Sequence, residues 1–325
     1  MKKIIGIIAG DPNSINSEII AKTWKKKSNF RNLDIFIIGS FFLLKKQFQK
    51  MGYKTNLKKI NEIQVNKIKK NLCIYNIPIN FKKPFEVPAS ERRRYIDQSF
   101  KIALNFINQK KINGIINCAV NKKDLSQKKN FNGVTEFLAK KSGVLGNEAM
   151  LIYNNSLSVC PITTHIKLRS VPKNISKNKI IKKTIAINSF FKKILKIKPK
   201  IGVLGLNPHN DEFRNNSEEK KIIKPAVNYL KKRGISVQGP ISPDTVFLDY
   251  KKKGFNVLIG MYHDQVLTPF KAIFKFDAIN ITVGLPFIRI SPDHGVGKDI
   301  IQKNKANPES LLKSINFFNK INAKT

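Results

Sequence analysis

The sequence predicts an α/β protein built on largely parallel strands. Strand-like apolar runs alternate with helix-like segments: 200–206 strand, 218–232 helix, 235–238 strand, 243–252 helix and 256–260 strand. Several runs end in glycine or polar residues. Phe255 to Ile259, for example, ends at Gly260 and then delivers Tyr262, His263, Asp264 and Gln265. Strands buried on both faces read this way, with ligand-binding side chains presented at their C-terminal ends. At 325 residues the chain is long enough for two domains or one large unit.

The elements follow in order. Ile4 to Ala9 reads as a buried first strand, turned by Gly10-Asp11-Pro12, and Ser14 or Asn16 is placed to cap a helix through Trp24. Leu33 to Ile38 is the second strand, ended by Gly39-Ser40, and Phe41 to Lys50 has helical spacing. Leu72 to Tyr75 is strand-like, and Pro78 to Pro88 is a loop. Ser90 stands as N-cap of a long helix to about Gln109, with Tyr95, Phe100, Ala103, Leu104 and Ile107 toward a core. Arg92-Arg93-Arg94 falls on a solvated face of that helix. Gly114 to Val120 is the next strand, ending at Asn121-Lys122. The lysine-rich segment 173–200 reads as an exposed helix, because Ile180, Ile181, Ile185, Phe190, Ile194 and Leu195 share one broad face.

Composition narrows the class. Lys and Arg number 61 against 21 Asp and Glu, a formal net charge of +40. Such a field attracts phosphates, nucleic acid and anionic membranes. The lysines are dispersed as short KK and KKK runs, however, which favours compositional drift on solvated faces over a nucleic-acid surface. Three scattered cysteines, Cys73, Cys118 and Cys160, without a C-x-x-C pattern, read as reduced core thiols of a cytoplasmic protein. The opening MKKIIGIIAGD imitates a signal peptide, but its apolar run stops at Asp11, and a first strand is the better reading. No stretch approaches the ~20 apolar residues of a membrane span. No G-x-G-x-x-G occurs, so the residues themselves do not announce a dinucleotide.

Three of the four histidines, His165, His209 and His263, sit within or just after strand-like runs, each near a polar residue. Neutral imidazole is a common ligand for divalent transition metals. Their wide spacing makes no local metal motif, and taken alone they read as independent hydrogen-bonded residues.

The motifs GDP at Gly10 to Pro12, GVTEFLA, THIKLRSVP, GLNPHND, GPISPDTVF, YHDQ and NITVGLPFIRISPDHG run in order from residue 6 to residue 299. In this series the chain resembles the 4-hydroxythreonine-4-phosphate dehydrogenase family of pyridoxal phosphate (vitamin B6) biosynthesis. The resemblance implies a two-domain, isopropylmalate-dehydrogenase-like α/β/α fold with a cleft between domains. Residues 1–122 with 280–325 would form the cofactor side, and 123–279 the metal, substrate and dimer side. It implies NAD(P)-dependent oxidation of 4-(phosphooxy)-L-threonine with decarboxylation to 3-amino-2-oxopropyl phosphate, in a homodimer with the site at its interface. NAD or NADP and one divalent ion (zinc, magnesium or cobalt) are the expected cofactors.

Residue by residue, the resemblance implies His165, His209 and His263 as metal ligands and Thr135, Lys271, Asn280 and Arg289 as substrate contacts. It places Asp293, His294 and Gly295 at the cofactor. Asp244 and Asp264 are candidates to orient a ligand histidine or a proton relay, with a turn or cap role equally open for Asp244. Three departures stand out. The family's Gly-His-Thr-Glu is here Gly133-Val134-Thr135-Glu136, and valine cannot hydrogen-bond a phosphate. The loop usually written GDPAGIGPE is here Gly10 to Glu18 without its inner glycines, so side chains are expected to intrude on a ligand. After Gly295 comes Val296-Gly297-Lys298, and Lys298 would suit a 2′-phosphate, hence NADP. The Val134 substitution keeps a phosphorylated sugar acid, threonate or erythronate 4-phosphate, open as the substrate. A basic nucleic-acid binder is the remote alternative.

Overall fold

The computed structural model describes residues 2–30, 32–63, 71–125, 133–275 and 277–322. In chain order the strands are β1 (Lys3–Ile8), β2 (Leu33–Gly39), β3 (Leu57–Ile60), β4 (Leu72–Asn76), β5 (Gly114–Asn117), β6 (Ala149–Tyr153), β7 (Ser158–Pro161), β8 (Ile201–Leu204), β9 (Val237–Ile241), β10 (Val257–Gly260), β11 (Ile279–Val283) and β12 (Ile288–Pro292). The helices are α1 (Asn16–Trp24), α2 (Phe41–Lys50), α3 (Ala89–Asn108), α4 (Val134–Lys141), α5 (Val171–Asn174), α6 (Lys177–Phe190), α7 (Lys224–Lys232), α8 (Pro243–Asp249), α9 (His263–Phe274) and α10 (Glu309–Asn322). The chain divides into two compact units, 1–137 with 287–325, and 138–286. Both borders lie further along the chain than those read from the sequence.

In the first unit the strands are ordered β3-β4-β2-β1-β5-β12, and these neighbours pair in parallel. Parallel strands need cover on both faces, and the residues provide it: β2 and β5 are buried along their whole length. Helix α3 buries Tyr95, Ile96, Phe100 and Ala103. Burying Ile96 or Phe100 contributes roughly 1.5–3 kcal/mol each. The strand order reverses direction between β1 and β5, a topological switch point where open parallel sheets bind ligands beyond the strand ends.

In the second unit the order is β11-β6-β7-β10-β8-β9. Strands β7, β10, β8 and β9 run parallel, whereas β6 is antiparallel to both its neighbours. The β6–β7 hairpin turns on Asn154, whose side-chain oxygen accepts from the Ser156 amide at 2.9 Å. The alternation of signals missed this hairpin, together with β3, β11 and β12. Segments of four or five residues carry too little periodicity to separate strand from loop.

Helix starts differ from expectation in instructive ways. Ser40 and Ser176 cap α2 and α6 through their hydroxyls, at 3.4 and 3.3 Å. Ser90 does not cap: α3 begins at Ala89, and the Pro88 carbonyl accepts from Arg92. At α1 the N-cap residue, Ile15, makes no side-chain bond, but the Ser14 hydroxyl accepts from the Asn16 amide at 3.1 Å, the first of the helix, while the Asn16 side chain turns to the Ala119 carbonyl. Within 173–200, α6 buries Ile180, Ile187 and Phe190, as an amphipathic face requires. Cys73, Cys118 and Cys160 are buried free thiols, and burial pushes Cys118 up to about 12 and Cys160 to about 11, so they are inert at neutral pH. Among the described residues no helix is long and apolar enough to cross a membrane.

Candidate active site

Strands β7, β10 and β8 are neighbours and parallel, so their C-terminal ends share one edge of the sheet. His165 follows β7, His263 opens α9 directly after β10, and His209 follows β8. The fold thus gathers three residues far apart in sequence onto adjacent strand ends. The His165 and His263 rings approach to 5.8 Å between centroids. Two imidazoles on one ion, with metal–nitrogen bonds of about 2.0–2.1 Å, stand roughly that far apart. His263 Nδ1 lies 2.9 Å from Asp264 Oδ1. A carboxylate only accepts, so Nδ1 is the donor of this bond, which directs Nε2 away from Asp264 and toward any ligand.

His209 heads a run, His209 to Phe213, in which every residue has φ between 47° and 59°. Left-handed backbone costs a non-glycine residue roughly 1–2 kcal/mol, so the surrounding contacts must hold this turn. Asp244 lies close by. Its carboxyl is held below the usual range by the Ser242 hydroxyl first, then by the backbone amides of Asp244 and Thr245 and the charge of His209. Among the described residues no group of three or more His, Cys, Asp or Glu side chains is close enough to hold a metal ion. One chain therefore assembles the His165–His263 pair and leaves His209 on the next strand end.

Within the first unit, Arg289 on β12 is only 3% exposed. Its Nε donates to Asn117 Oδ1 at 2.6 Å and its Nη1 to Thr135 Oγ1 at 3.3 Å. Burial pushes the guanidinium down to about 9, so it remains cationic at neutral pH. Arg289 and Thr135, expected as substrate contacts, are thus brought together. Lys271 is exposed on α9, and Asn280 lies on β11. The Asn280 Oδ1 atom is buried without a hydrogen-bond partner, an acceptor suited to an ammonium or hydroxyl group. His294 is similar. Its Nδ1 faces the Gly295 carbonyl at 2.9 Å, so Nδ1 donates, and the buried Nε2 is an unpartnered acceptor. Desolvation lowers the His294 pKa and keeps the ring neutral.

The family profile described as "Pyridoxal phosphate biosynthetic protein PdxA" matches residues 31–318. The chain belongs to the PdxA family. It is 39% identical over 318 residues to a 4-hydroxythreonine-4-phosphate dehydrogenase of Sulfurihydrogenibium, covering 96% of each chain. It is 32% identical over 328 residues to a D-threonate 4-phosphate dehydrogenase of Pectobacterium atrosepticum, covering 97% of this chain and 98% of the relative. The solved 4-hydroxythreonine-4-phosphate dehydrogenase of Klebsiella pneumoniae superposes with a TM-score of 0.88 at 29% identity, covering 99% of this chain and 98% of that one.

The loop after β1 bears on the expectation that side chains would intrude on a ligand. Ser14 Oγ donates to the Asp11 carbonyl at 2.5 Å, and Asn16 Nδ2 donates to the Ala119 carbonyl at 2.8 Å. Asn13 and Val87 exchange hydrogen bonds at 3.0 and 2.9 Å. The side chains of Asn13, Ser14 and Asn16 turn inward and satisfy backbone groups. Gly10 remains necessary: its φ is +78°, and a Cβ would stand 2.5 Å from the Ala119 oxygen.

Arg92 departs from the solvated face assigned to it. Its Nε and Nη2 grip Asp124 at 2.9 and 3.4 Å, and its Nε stands 4.0 Å from Asp11. Arg93 and Arg94 are exposed. Asp11 is buried, and desolvation raises its pKa despite the Asn13 amide and the charges of Arg92 and Lys298. Sequence reasoning also missed Asn117, which holds Arg289. Its signal was a lone amide ending the apolar run Gly114 to Ile116.

Proposed function

We propose that the chain is a metal-dependent NAD(P) dehydrogenase that oxidises 4-(phosphooxy)-L-threonine and decarboxylates it to 3-amino-2-oxopropyl phosphate, in pyridoxal 5′-phosphate biosynthesis. The observation that carries this reading is the His165–His263 pair, on strand ends next to that of His209, in a chain of the PdxA family. His165, His209 and His263 would hold a divalent zinc, magnesium or cobalt ion, and Asp293, His294 and Gly295 would hold the dinucleotide. A nicotinamide held there would supply a hydride acceptor for the secondary alcohol, and the ion would supply a Lewis acid for the hydroxyl and for the charge left when CO₂ departs. Arg289, Thr135, Lys271 and Asn280 bind the anionic substrate through two cations, a hydroxyl and an amide. Asp264 fixes the His263 tautomer, and Asp244 stands beside His209.

A homodimer with the site at its interface fits a chain that by itself, among the described residues, brings only His165 and His263 together. A partner chain would then supply ligands that one chain does not bring together. The charge of +40 helps recruit a dianionic substrate. The buried free cysteines support a cytoplasmic enzyme.

A second reading has its own support. Val134 removes the family's imidazole donor, and relatives named D-threonate 4-phosphate dehydrogenase reach 31–32% identity over the chain. The purified protein should be offered 4-(phosphooxy)-L-threonine and D-threonate or D-erythronate 4-phosphate, with NAD⁺ or NADP⁺ and each metal, while nicotinamide absorbance and CO₂ release are followed. Preference for the amino acid with CO₂ release is expected. Preference for the sugar acid would transfer the assignment to the second reading, and turnover unaffected by chelation would remove the metal.

A further inference from the structure

The ladder between β8 and β10 stops where the histidine-bearing loops begin. Its register pairs Val257 with Ile201, Leu258 with Gly202 and Ile259 with Val203. Continued, it would bring Met261 to Gly205. The side-chain amide of Gln265 fills that place instead. Its Oε1 accepts from the Met261 amide at 2.6 Å, and its Nε2 donates to the Gly205 carbonyl at 2.7 Å. A primary amide offers one acceptor and donors, as a peptide group does, so it acts as an inserted rung. The strand ends are spread by the width of that amide while remaining tied.

The same point ties the third loop. Thr163, two residues before His165, donates to the Met261 carbonyl through its hydroxyl at 2.7 Å and its amide at 3.1 Å. Met261, two residues before His263, is thus bonded on one side to the His165 loop. On the other, through Gln265, it is bonded to the loop leading to His209. Gln265 is 9% exposed and Thr163 is 6% exposed. Gly260 permits the arrangement, since a Cβ there would stand 2.9 Å from Gln265 Oε1 and 2.5 Å from Val266 Cγ1.

We propose that Gln265 is a positioning residue for the metal centre: its amide, with Thr163, sets the spacing of the loops carrying His165, His209 and His263. The inference rests on the metal reading above. Gln265→Met keeps the length of the side chain and removes both hydrogen bonds. Zinc affinity of the chelator-stripped protein is measured by competition with a chromophoric chelator, alongside thermal unfolding. The set comprises wild type, His263→Ala, Gln265→Met, Thr163→Val and the buried core control Val227→Ala.

Gln265→Met is expected to weaken zinc binding about 10- to 100-fold. Val227→Ala is expected to lower Tm and leave the affinity at the wild-type value. Wild-type zinc affinity in Gln265→Met, or a loss matched by Val227→Ala, would overturn the proposal. Should Gln265→Met fail to fold, unchanged zinc affinity in Thr163→Val overturns it equally. A wild-type protein binding no zinc that His263→Ala removes would instead overturn the metal reading, and this proposal with it.

Discussion

Replacing Arg289 with lysine probes the anion pocket most directly. The substitution keeps the positive charge and discards the fork. In the native protein the guanidinium reaches Asn117 at 2.6 Å and Thr135 at 3.3 Å at once. An ammonium on a flexible stem cannot satisfy both and also meet a substrate oxygen. A hydrogen bond to a charged group is worth about 1.5–3 kcal/mol, and a buried oxygen left unpaired costs about 1–3 kcal/mol. Asn117, 1% exposed, has no water to turn to. Arg289→Lys should therefore lower unfolding free energy by about 1–3 kcal/mol. Loss of one charge-assisted substrate contact, about 2 kcal/mol, should lower kcat/KM about 30-fold. Urea unfolding measures the first effect and initial rates of nicotinamide reduction the second. If kcat/KM stays at the wild-type value while stability falls, Arg289 is a structural cation and does not contact substrate.

Two further substitutions test neighbouring features. Val134→His restores a donor beside Thr135 and should raise apparent affinity for the phosphorylated substrate by about 1 kcal/mol, read as a lower KM; an unchanged KM would show that another group already fills that place. Asp11→Asn tests the buried carboxyl. Burial raises its pKa, so the folded protein keeps this proton to higher pH than the unfolded chain. Stability is then lost as pH rises from the ordinary carboxylate range through the raised value. The amide should stabilise the protein at neutral pH and not in acid, measured by urea unfolding at both. A stability loss at neutral pH would mean that the Arg92 contact outweighs desolvation.

Much of the framework was legible in the residues. Long apolar runs such as Leu33 to Ile38 and Phe255 to Ile259 can only be buried strands in an α/β protein, and β2 and β10 lie there. The ordered motifs, down to Asp293-His294-Gly295, identified the family. Other features depended on partners distant in sequence. Arg92 looked like part of a charged helix face, yet its partner Asp124 arrives from beyond β5. Asn117 looked like the end of a strand until β12 brought Arg289 beside it.

The sequence by itself determined which segments bury, and hence the class of fold and the family, because burial periodicity and motif order are properties of the chain alone. Which polar groups meet was decided only in three dimensions. Parallel strand order, set by crossovers between remote segments, puts His165, His263 and His209 on adjacent ends. No local pattern reveals that the Gln265 amide stands as a rung between two of them.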